Sequence, residues 1–93
     1  MVQTLQNFIN GEFVTPAGTG MLDIVNPTNG DVVAKSPVSG QADVDAAMIA
    51  AKDAFKSWKH TTPGQRQLML LKLADAVEAN SDELVEAQHR NTG

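Results

Sequence analysis

The sequence predicts an α+β fold in which two short β-hairpin-like strand pairs precede an antiparallel helix pair and a third helix. Three observations predict this order: two Asn-Gly dipeptides near short apolar runs, helical spacing of apolar residues after position 43, and a Thr-Pro helix start. The strands are expected within 7–36, and the helices at 41–59, 63–79 and 81–90. Because strands come first and helices follow, residues 1–93 are expected to form one unit.

The first strand pair is predicted around Asn10-Gly11, which separates Phe8-Ile9 from Phe13-Val14. Asn-Gly supplies the positive φ angles that a two-residue hairpin turn requires. Residues 1–6 are expected to be weakly ordered, and residues 15–20 are expected to form a loop. A lone hairpin is marginal in water, so its aromatic face needs a partner.

The second strand pair is predicted from residues 21–25 and 31–36. Asn26-Pro27 ends the first of these strands, because the residue before proline avoids the helical region and proline has no amide donor. Asn29-Gly30 is predicted to be a hairpin turn for the same reason as Asn10-Gly11.

The first helix carries a narrow apolar stripe at spacings of four and three residues, formed by Val44, Met48, Ala51, Phe55 and Trp58. At about 100° per residue these side chains share one face, which is expected to be buried. Asp43 and Asp45 lie in the first turns, where negative charge complements the helix dipole.

The second helix is predicted to begin with a capping box, in which Thr62 and Gln65 satisfy each other's free amides and Pro63 occupies the first position. A broad apolar arc follows, made of Met69, Leu70, Leu73, Ala74, Ala76 and Val77. Leu68 and Leu71 fall on the opposite side, beside Lys72, Asp75 and Glu78. Either these two leucines are ordinary surface or another protein surface covers them.

In the third helix, Glu86 and Arg90 are predicted to form an exposed ion pair.

Composition excludes several classes of function. Ninety-three residues allow one small domain, and such a chain buries only about 60–65% of its unfolded surface. A net charge of −4 with scattered basic residues argues against a nucleic-acid partner. The chain has no cysteine, so it has no disulfide partner and no thiol nucleophile. No apolar run is long enough to span a membrane, and a cytoplasmic location is expected.

No arrangement of reactive side chains predicts an active site. Glu86-x-x-His89 resembles half of a di-metal motif, but the second copy is missing, so His89 is expected to be a surface histidine. His60 could in principle act as a base but has no nucleophile beside it, and a solvated loop histidine is expected. Asp43, Asp45 and Asp53 do not converge on the helical wheel, so they are expected to lie on a solvated face.

Several segments together resemble the start of the aldehyde dehydrogenase superfamily. The resemblance rests on residues 7–14, on Ile24-Val25-Asn26-Pro27-Thr28-Asn29-Gly30-Asp31-Val32, on residues 43–47 with Phe55 and Trp58, and on scattered matches up to Asn91-Thr92-Gly93. It covers nearly the whole chain from Asn7. The Asn91-Thr92-Gly93 segment and Thr61-Thr62-Pro63 are most similar to the branch that acts on aminobutyraldehyde or betaine aldehyde.

The resemblance implies that this chain is the N-terminal segment of a much longer enzyme, a partial domain of a three-domain α/β fold. Such enzymes oxidise an aldehyde to an acid with NAD or NADP through a cysteine thiohemiacetal. Since this chain has no cysteine, we expect it to be inactive alone, to bind no cofactor and to lack the catalytic and Rossmann-type domains. By position, the resemblance also implies a structural sodium or potassium site at Ile24, Val25 and Asn91, where Asn91 replaces the usual aspartate.

Two kinds of partner are expected from these features. The apolar helix surface predicts contact with the remainder of the dehydrogenase, or self-association of the isolated chain. The alternative hypothesis is a free-standing helical interaction module without enzymatic activity, whose exposed leucines bind another protein.

Overall fold

The computed structural model describes residues 2–18 and 20–93, in which five strands are followed by three helices. The strands are β1 (Gln3–Thr4), β2 (Asn7–Ile9), β3 (Glu12–Val14), β4 (Met21–Val25) and β5 (Val32–Pro37). The helices are α1 (Gln41–Trp58), α2 (Pro63–Ala79) and α3 (Ser81–Thr92). The predicted α+β class and the order of elements are therefore confirmed.

Strands β2 and β3 form the predicted antiparallel hairpin. Asn10 and Gly11 adopt φ angles of 55° and 80°, so the turn uses the left-handed region that favours Asn-Gly. Phe8 lies opposite Phe13, and their ring centroids are 5.1 Å apart in an edge-to-face arrangement. The hairpin lies against α1. Between them is a shallow cavity that is lined by Phe8 and by the small side chains of Ala47, Ala50, Ala51 and Ala54.

A second sheet has the strand order β1-β5-β4. β4 and β5 pair antiparallel, and β1 pairs parallel with β5. The expectation that residues 1–6 are weakly ordered is therefore wrong for residues 3–5, while Met1 lies outside the described residues. Gln3 and Thr4 pair with Ala34 and Lys35, and the Leu5 amide donates to the Lys35 carbonyl at 2.8 Å. The edge of β5 supplies the backbone partners that this segment lacks by itself.

The turn between β4 and β5 differs from the predicted two-residue hairpin. It is a longer loop, closed by hydrogen bonds of 2.8 Å from Asn26 N to Asp31 O and from Gly30 N to Asn26 O. The Asn26 side chain accepts a further bond from Thr28 N at 3.0 Å. Pro27 has no amide to donate, so the Asn26 side chain and the loop amides stabilise the wider turn. Gly30, at φ 80°, occupies the left-handed position.

The helix start at Thr62 is confirmed. Gln65 N donates to Thr62 Oγ1 at 3.2 Å, and Thr62 N donates to Gln65 Oε1 at 2.9 Å. Arg66 joins α1 to α2, since its guanidinium lies 5.7 Å from the Trp58 ring centroid and donates to Thr61 Oγ1 at 2.7 Å. In α3, the predicted pair of Glu86 and Arg90 is present at 3.8 Å.

The predicted burial of the α1 stripe is wrong for this chain. Met48 and Phe55 are 64% and 58% exposed, and none of the hydrophobic residues that the structure describes is buried. The apolar spacing correctly places these side chains on one face of α1, but the other described elements of this chain do not cover that face. The accessible surface of 7473 Å² exceeds by a wide margin the roughly 5200 Å² expected for a folded chain of this mass.

Candidate functional site

The carboxylate of Asp43 is the best-organised polar group in the described residues. It lies in the first turn of α1 and is 7% exposed. Its Oδ1 accepts a hydrogen bond from Ala17 N at 2.8 Å, while its Oδ2 accepts from Gly40 N at 2.8 Å and from Gly18 N at 3.3 Å. One side chain therefore fastens the loop after β3 to the start of α1; we call this set of contacts the Asp43 clamp.

Two further contacts hold the same junction together. The Val38 amide donates to the Gly20 carbonyl at 3.1 Å, and Asn7 Nδ2 donates to Ser39 Oγ at 2.8 Å. Gly18 packs directly on the backbone of 38–40, where a Cβ would overlap the Val38 carbonyl oxygen. The hairpin, the loop and α1 thus meet around one carboxylate.

The expectation that Asp43 lies on a solvated face is therefore wrong. A helical wheel of α1 shows only whether acidic residues of that helix lie on the same side. It gives no information on Ala17 and Gly18, which donate to Asp43, because they lie in a loop about 25 residues earlier. A signal was present in the sequence: an aspartate three residues after Gly40 can accept the Gly40 amide, as the acidic residue of a capping box does.

Hydrogen bonds from backbone amides lower the pKa of Asp43, with the Ala17 amide contributing most and Gly40 next. Each donor stabilises the charged carboxylate, and this outweighs the opposing effect of burial. Asp43 is therefore an ionised structural anchor, because three backbone amides donate to it and its lowered pKa makes the carboxylate a poor proton acceptor.

Acid should release the Asp43 clamp. Because the folded-state pKa is lowered, the stabilisation is present above the ordinary aspartate value of about 4 and is lost as pH falls through the lowered pKa. We expect the amides of Ala17 and Gly18 to lose protection from hydrogen exchange as the pH falls below about 4, after correction for intrinsic exchange rates. In Asp43→Asn this acid transition should be absent; an unchanged transition in that variant would assign it to another group.

Two of the three residues predicted to hold a cation come together in the structure. Ile24 and Asn91 line a cavity of about 410 Å³ between the three-stranded sheet and α3, whereas Val25 is not among its lining residues. The lining also includes Arg90 and contains no carboxylate. These residues alone offer only neutral oxygens beside a guanidinium, which fits a hard cation poorly.

The other titratable candidates remain apart. In the part of the chain that the structure describes, no three His, Cys, Asp or Glu side chains gather in a way that could hold a metal. His60 is exposed at the end of α1, and His89 is exposed on α3. Within those same residues, each helix lacks the length or the apolar character needed to cross a membrane.

The exposed apolar surface is the other notable feature. The total accessible surface exceeds the area expected for this mass by about 2300 Å², nearly three times the roughly 800 Å² that each partner contributes to a standard protein interface. The large hydrophobic side chains in the described residues are all at least partly exposed. The radius of gyration is 16.9 Å, against about 12 Å for a compact domain of this length. Such an extended segment resembles one part of a larger folded body.

Comparison with known proteins gives the same indication. Residues 13–93 match the aldehyde dehydrogenase family. The 2-aminomuconic semialdehyde dehydrogenase of Danio rerio is 42% identical over 89 residues, covering 96% of this chain and 18% of that protein. The 2-hydroxymuconic semialdehyde dehydrogenase of Pseudomonas sp. strain CF600 is 39% identical over 93 residues, and the match covers 99% of this chain and 19% of that protein.

Solved structures show the same partial coverage. A putative methylmalonate-semialdehyde dehydrogenase from Sinorhizobium meliloti 1021, complexed with NAD, has a TM-score of 0.91 and 31% identity over 97% of this chain and 18% of that one. An aldehyde dehydrogenase from Bartonella henselae has a TM-score of 0.87 and 28% identity, with coverage of 92% and 18%. The chain spans about a fifth of the length of these relatives, and the predicted partial domain is confirmed.

Proposed function

Since this chain belongs to the aldehyde dehydrogenase family, we propose that it is the N-terminal part of an enzyme that oxidises an aldehyde to a carboxylic acid with NAD or NADP. The observation that carries this proposal is the family match over 13–93 together with an exposed apolar surface that a larger protein body would cover. In this enzyme, 1–93 serves as a packing element. It supplies no catalytic group, because the cysteine that attacks the aldehyde is not among its residues.

The substrate class that we propose is a semialdehyde, a molecule with an aldehyde at one end and a carboxylate at the other. The names of the relatives from Danio rerio and Pseudomonas, and of a malonate-semialdehyde dehydrogenase from Bacillus anthracis that is 39% identical over 82 residues, support this class. The branch acting on aminobutyraldehyde or betaine aldehyde, to which the Asn91-Thr92-Gly93 segment is similar, does not occur among these relatives.

We propose that this chain supplies only some of the ligands of a cation site. In the whole enzyme, the carbonyl oxygens of Ile24 and Val25 and the side-chain oxygen of Asn91 would contribute to holding sodium or potassium. A hard cation takes six or more oxygen ligands in many sites, so the remaining ligands and any negative charge would have to come from outside 1–93.

The proposed partners follow from the exposed surface. The remainder of the dehydrogenase covers most of it in the whole enzyme, and we propose that copies of the 93-residue chain associate through the exposed helix surface when that remainder is absent. The exposure of Leu68 and Leu71 also suits the alternative of a free-standing interaction module. We place the enzyme in the cytoplasm.

Activity measurements separate the two functions. We expect the 93-residue chain to give no NADH with any aldehyde, and the whole polypeptide that carries it to form NADH from a semialdehyde faster than from aminobutyraldehyde or betaine aldehyde. NADH fluorescence reports the rate. If the whole polypeptide reduced neither NAD nor NADP with any aldehyde, the interaction module would be favoured, and a preference for betaine aldehyde would refute the substrate class.

A further inference from the structure

We propose that α2 pairs with α2 of a second copy of this chain in antiparallel orientation, through a face that we call the Leu68 face, formed by Leu68, Leu71, Lys72, Asp75, Ala76 and Ala79. The proposal deepens the self-association part of the proposed function and does not depend on enzymatic activity. It specifies which side of the helix pairs, in which direction, and in which register.

The Leu68 face occupies one side of α2. At about 100° per residue, its six positions span an arc of about 140°. Leu68 and Leu71 on this arc are 61% and 53% exposed. Met69, Leu70, Leu73 and Val77 lie on the opposite arc and are exposed as well. Because apolar side chains on both sides of a helix indicate that both sides are covered, α2 needs two covering surfaces.

The two arcs differ in charge, which distinguishes their partners. On the opposite arc the charged residue is Arg66 in the first turn, which is already bonded to Thr61 and Trp58. The rest of that arc is apolar, so it suits the interior of the dehydrogenase. The Leu68 face instead places Lys72 and Asp75 between its leucines and its alanines. Charged residues of both signs beside a small apolar patch can fix the orientation of a partner whose charges are complementary.

The Leu68 face is complementary to itself only when the helices are antiparallel. In a two-fold pair, each contact occurs twice with the two copies exchanged. When Lys72 of one copy faces Asp75 of the other, the same symmetry places Leu68 opposite Ala79. Leu71 and Ala76 then lie at the two edges of the contact, each on the same edge as its own symmetry copy. A large side chain meets a small one at each end, and opposite charges meet. A parallel pair in register would instead place Lys72 against Lys72.

Nothing in the described residues fills this face. Residues 68–79 are all exposed, including Ala76 at the border with the larger arc and Ala79 at the helix end. The side chains of Lys72 and Asp75 form no ion pair within the described part of the chain, where the pairs present are Lys56 with Asp53 and Arg90 with Glu86. Both charges are therefore available to a second copy. Exposed charge pairs contribute little free energy, so they fix orientation more than affinity.

Cysteine cross-linking tests the register. The chain has no native cysteine, so Leu68→Cys and Ala79→Cys can be placed in two differently tagged copies. We expect the mixed disulfide between Leu68→Cys and Ala79→Cys to form at least about tenfold faster than the disulfide between two Leu68→Cys copies, because only in the first pair do the two residues lie opposite each other. The matched control pairs Leu68→Cys with Val77→Cys on the opposite arc and should cross-link slowly. Equal rates in all combinations, or a dominant Leu68→Cys homodimer, would overturn the proposal.

Charge exchange tests the orientation. Lys72→Glu alone and Asp75→Lys alone should each raise the dissociation constant about tenfold, since every copy then meets a like charge. A mixture of the two variants should recover the original dissociation constant within about twofold, because opposite charges face each other again. Lys52→Glu on α1 is the matched control. Sedimentation that shows no recovery in the mixture would refute the antiparallel pair.

The whole polypeptide separates this inference from the proposed function. The same mixed disulfide should form there between subunits. If its own remaining residues cover the Leu68 face, the disulfide will not form and the pairing proposal is refuted, while NADH formation by the same preparation reports independently on dehydrogenase activity.

Discussion

Replacing Asp43 with asparagine should release the loop after β3 from α1. Three backbone amides point at the two carboxylate oxygens, and the asparagine side chain offers only one oxygen together with an NH₂ group that is itself a donor. With Oδ1 still accepting from Ala17, the NH₂ group would face the amides of Gly18 and Gly40. A buried donor left facing a donor is costly, so the loop should detach.

Hydrogen exchange measures this effect directly. We expect the amides of Ala17, Gly18 and Gly40 to exchange at least about tenfold faster in Asp43→Asn at neutral pH. The amides of the β2 and β3 hairpin turn should change less, because that turn is closed by its own residues. Asp45→Asn is the matched control, since Asp45 is exposed and accepts a hydrogen bond from the Gln41 side chain. Unchanged protection in Asp43→Asn would show that the clamp does not hold the loop.

The elements that could be predicted from the sequence are those whose causes are local. The Asn10-Gly11 turn, the Thr62 capping box and the pair of Glu86 and Arg90 each involve residues within four positions of one another. Their geometry is determined by the backbone freedom and side-chain reach of those residues. The same holds for the bounds of α2, which begins and ends as predicted.

The elements that were missed depend on distant partners. Gln3 pairs with Ala34, and the donors Ala17 and Gly18 lie 26 and 25 residues from Asp43. Neither contact leaves a periodic signal, because a two-residue strand has no pattern and one aspartate at a helix start looks the same whether it caps the helix or holds a loop. The two-residue turn expected at Asn29-Gly30 was wrong because the Asn26 carbonyl and side chain extend the turn.

The α1 stripe illustrates a different limit. Its spacing correctly identifies side chains that share one face, but periodicity does not state which polypeptide covers that face. Trp58 and Phe55 are 41% and 58% exposed here, and the family relatives are about five times longer than the matched segment. The covering surface proposed for them therefore lies in residues that no pattern within 1–93 could describe.

Gly18→Ala should be the most disruptive single-methyl change in the loop. A Cβ on Gly18 would overlap the Val38 carbonyl oxygen and would lie 2.9 Å from Gly40 N and 3.2 Å from the Ser39 carbonyl carbon. All three neighbours are backbone atoms, so no side-chain rotation relieves the overlap. The loop must move away from 38–40, which also weakens the bond from Gly18 to Asp43 and the bond from Val38 to Gly20.

The expected cost is about 1–3 kcal/mol in the free energy of unfolding, as for other overpacked sites. Urea denaturation of the whole polypeptide checks this value, and exchange of the Ala17 amide locates the change. Gly64→Ala in the first turn of α2 is the matched control: the nearest atom to its Cβ is Thr62 Oγ1 at 4.0 Å, and alanine is a better helix former than glycine. If Gly18→Ala were as stable as Gly64→Ala, the close packing of the loop on the start of α1 would not be needed, and the Asp43 clamp would act alone.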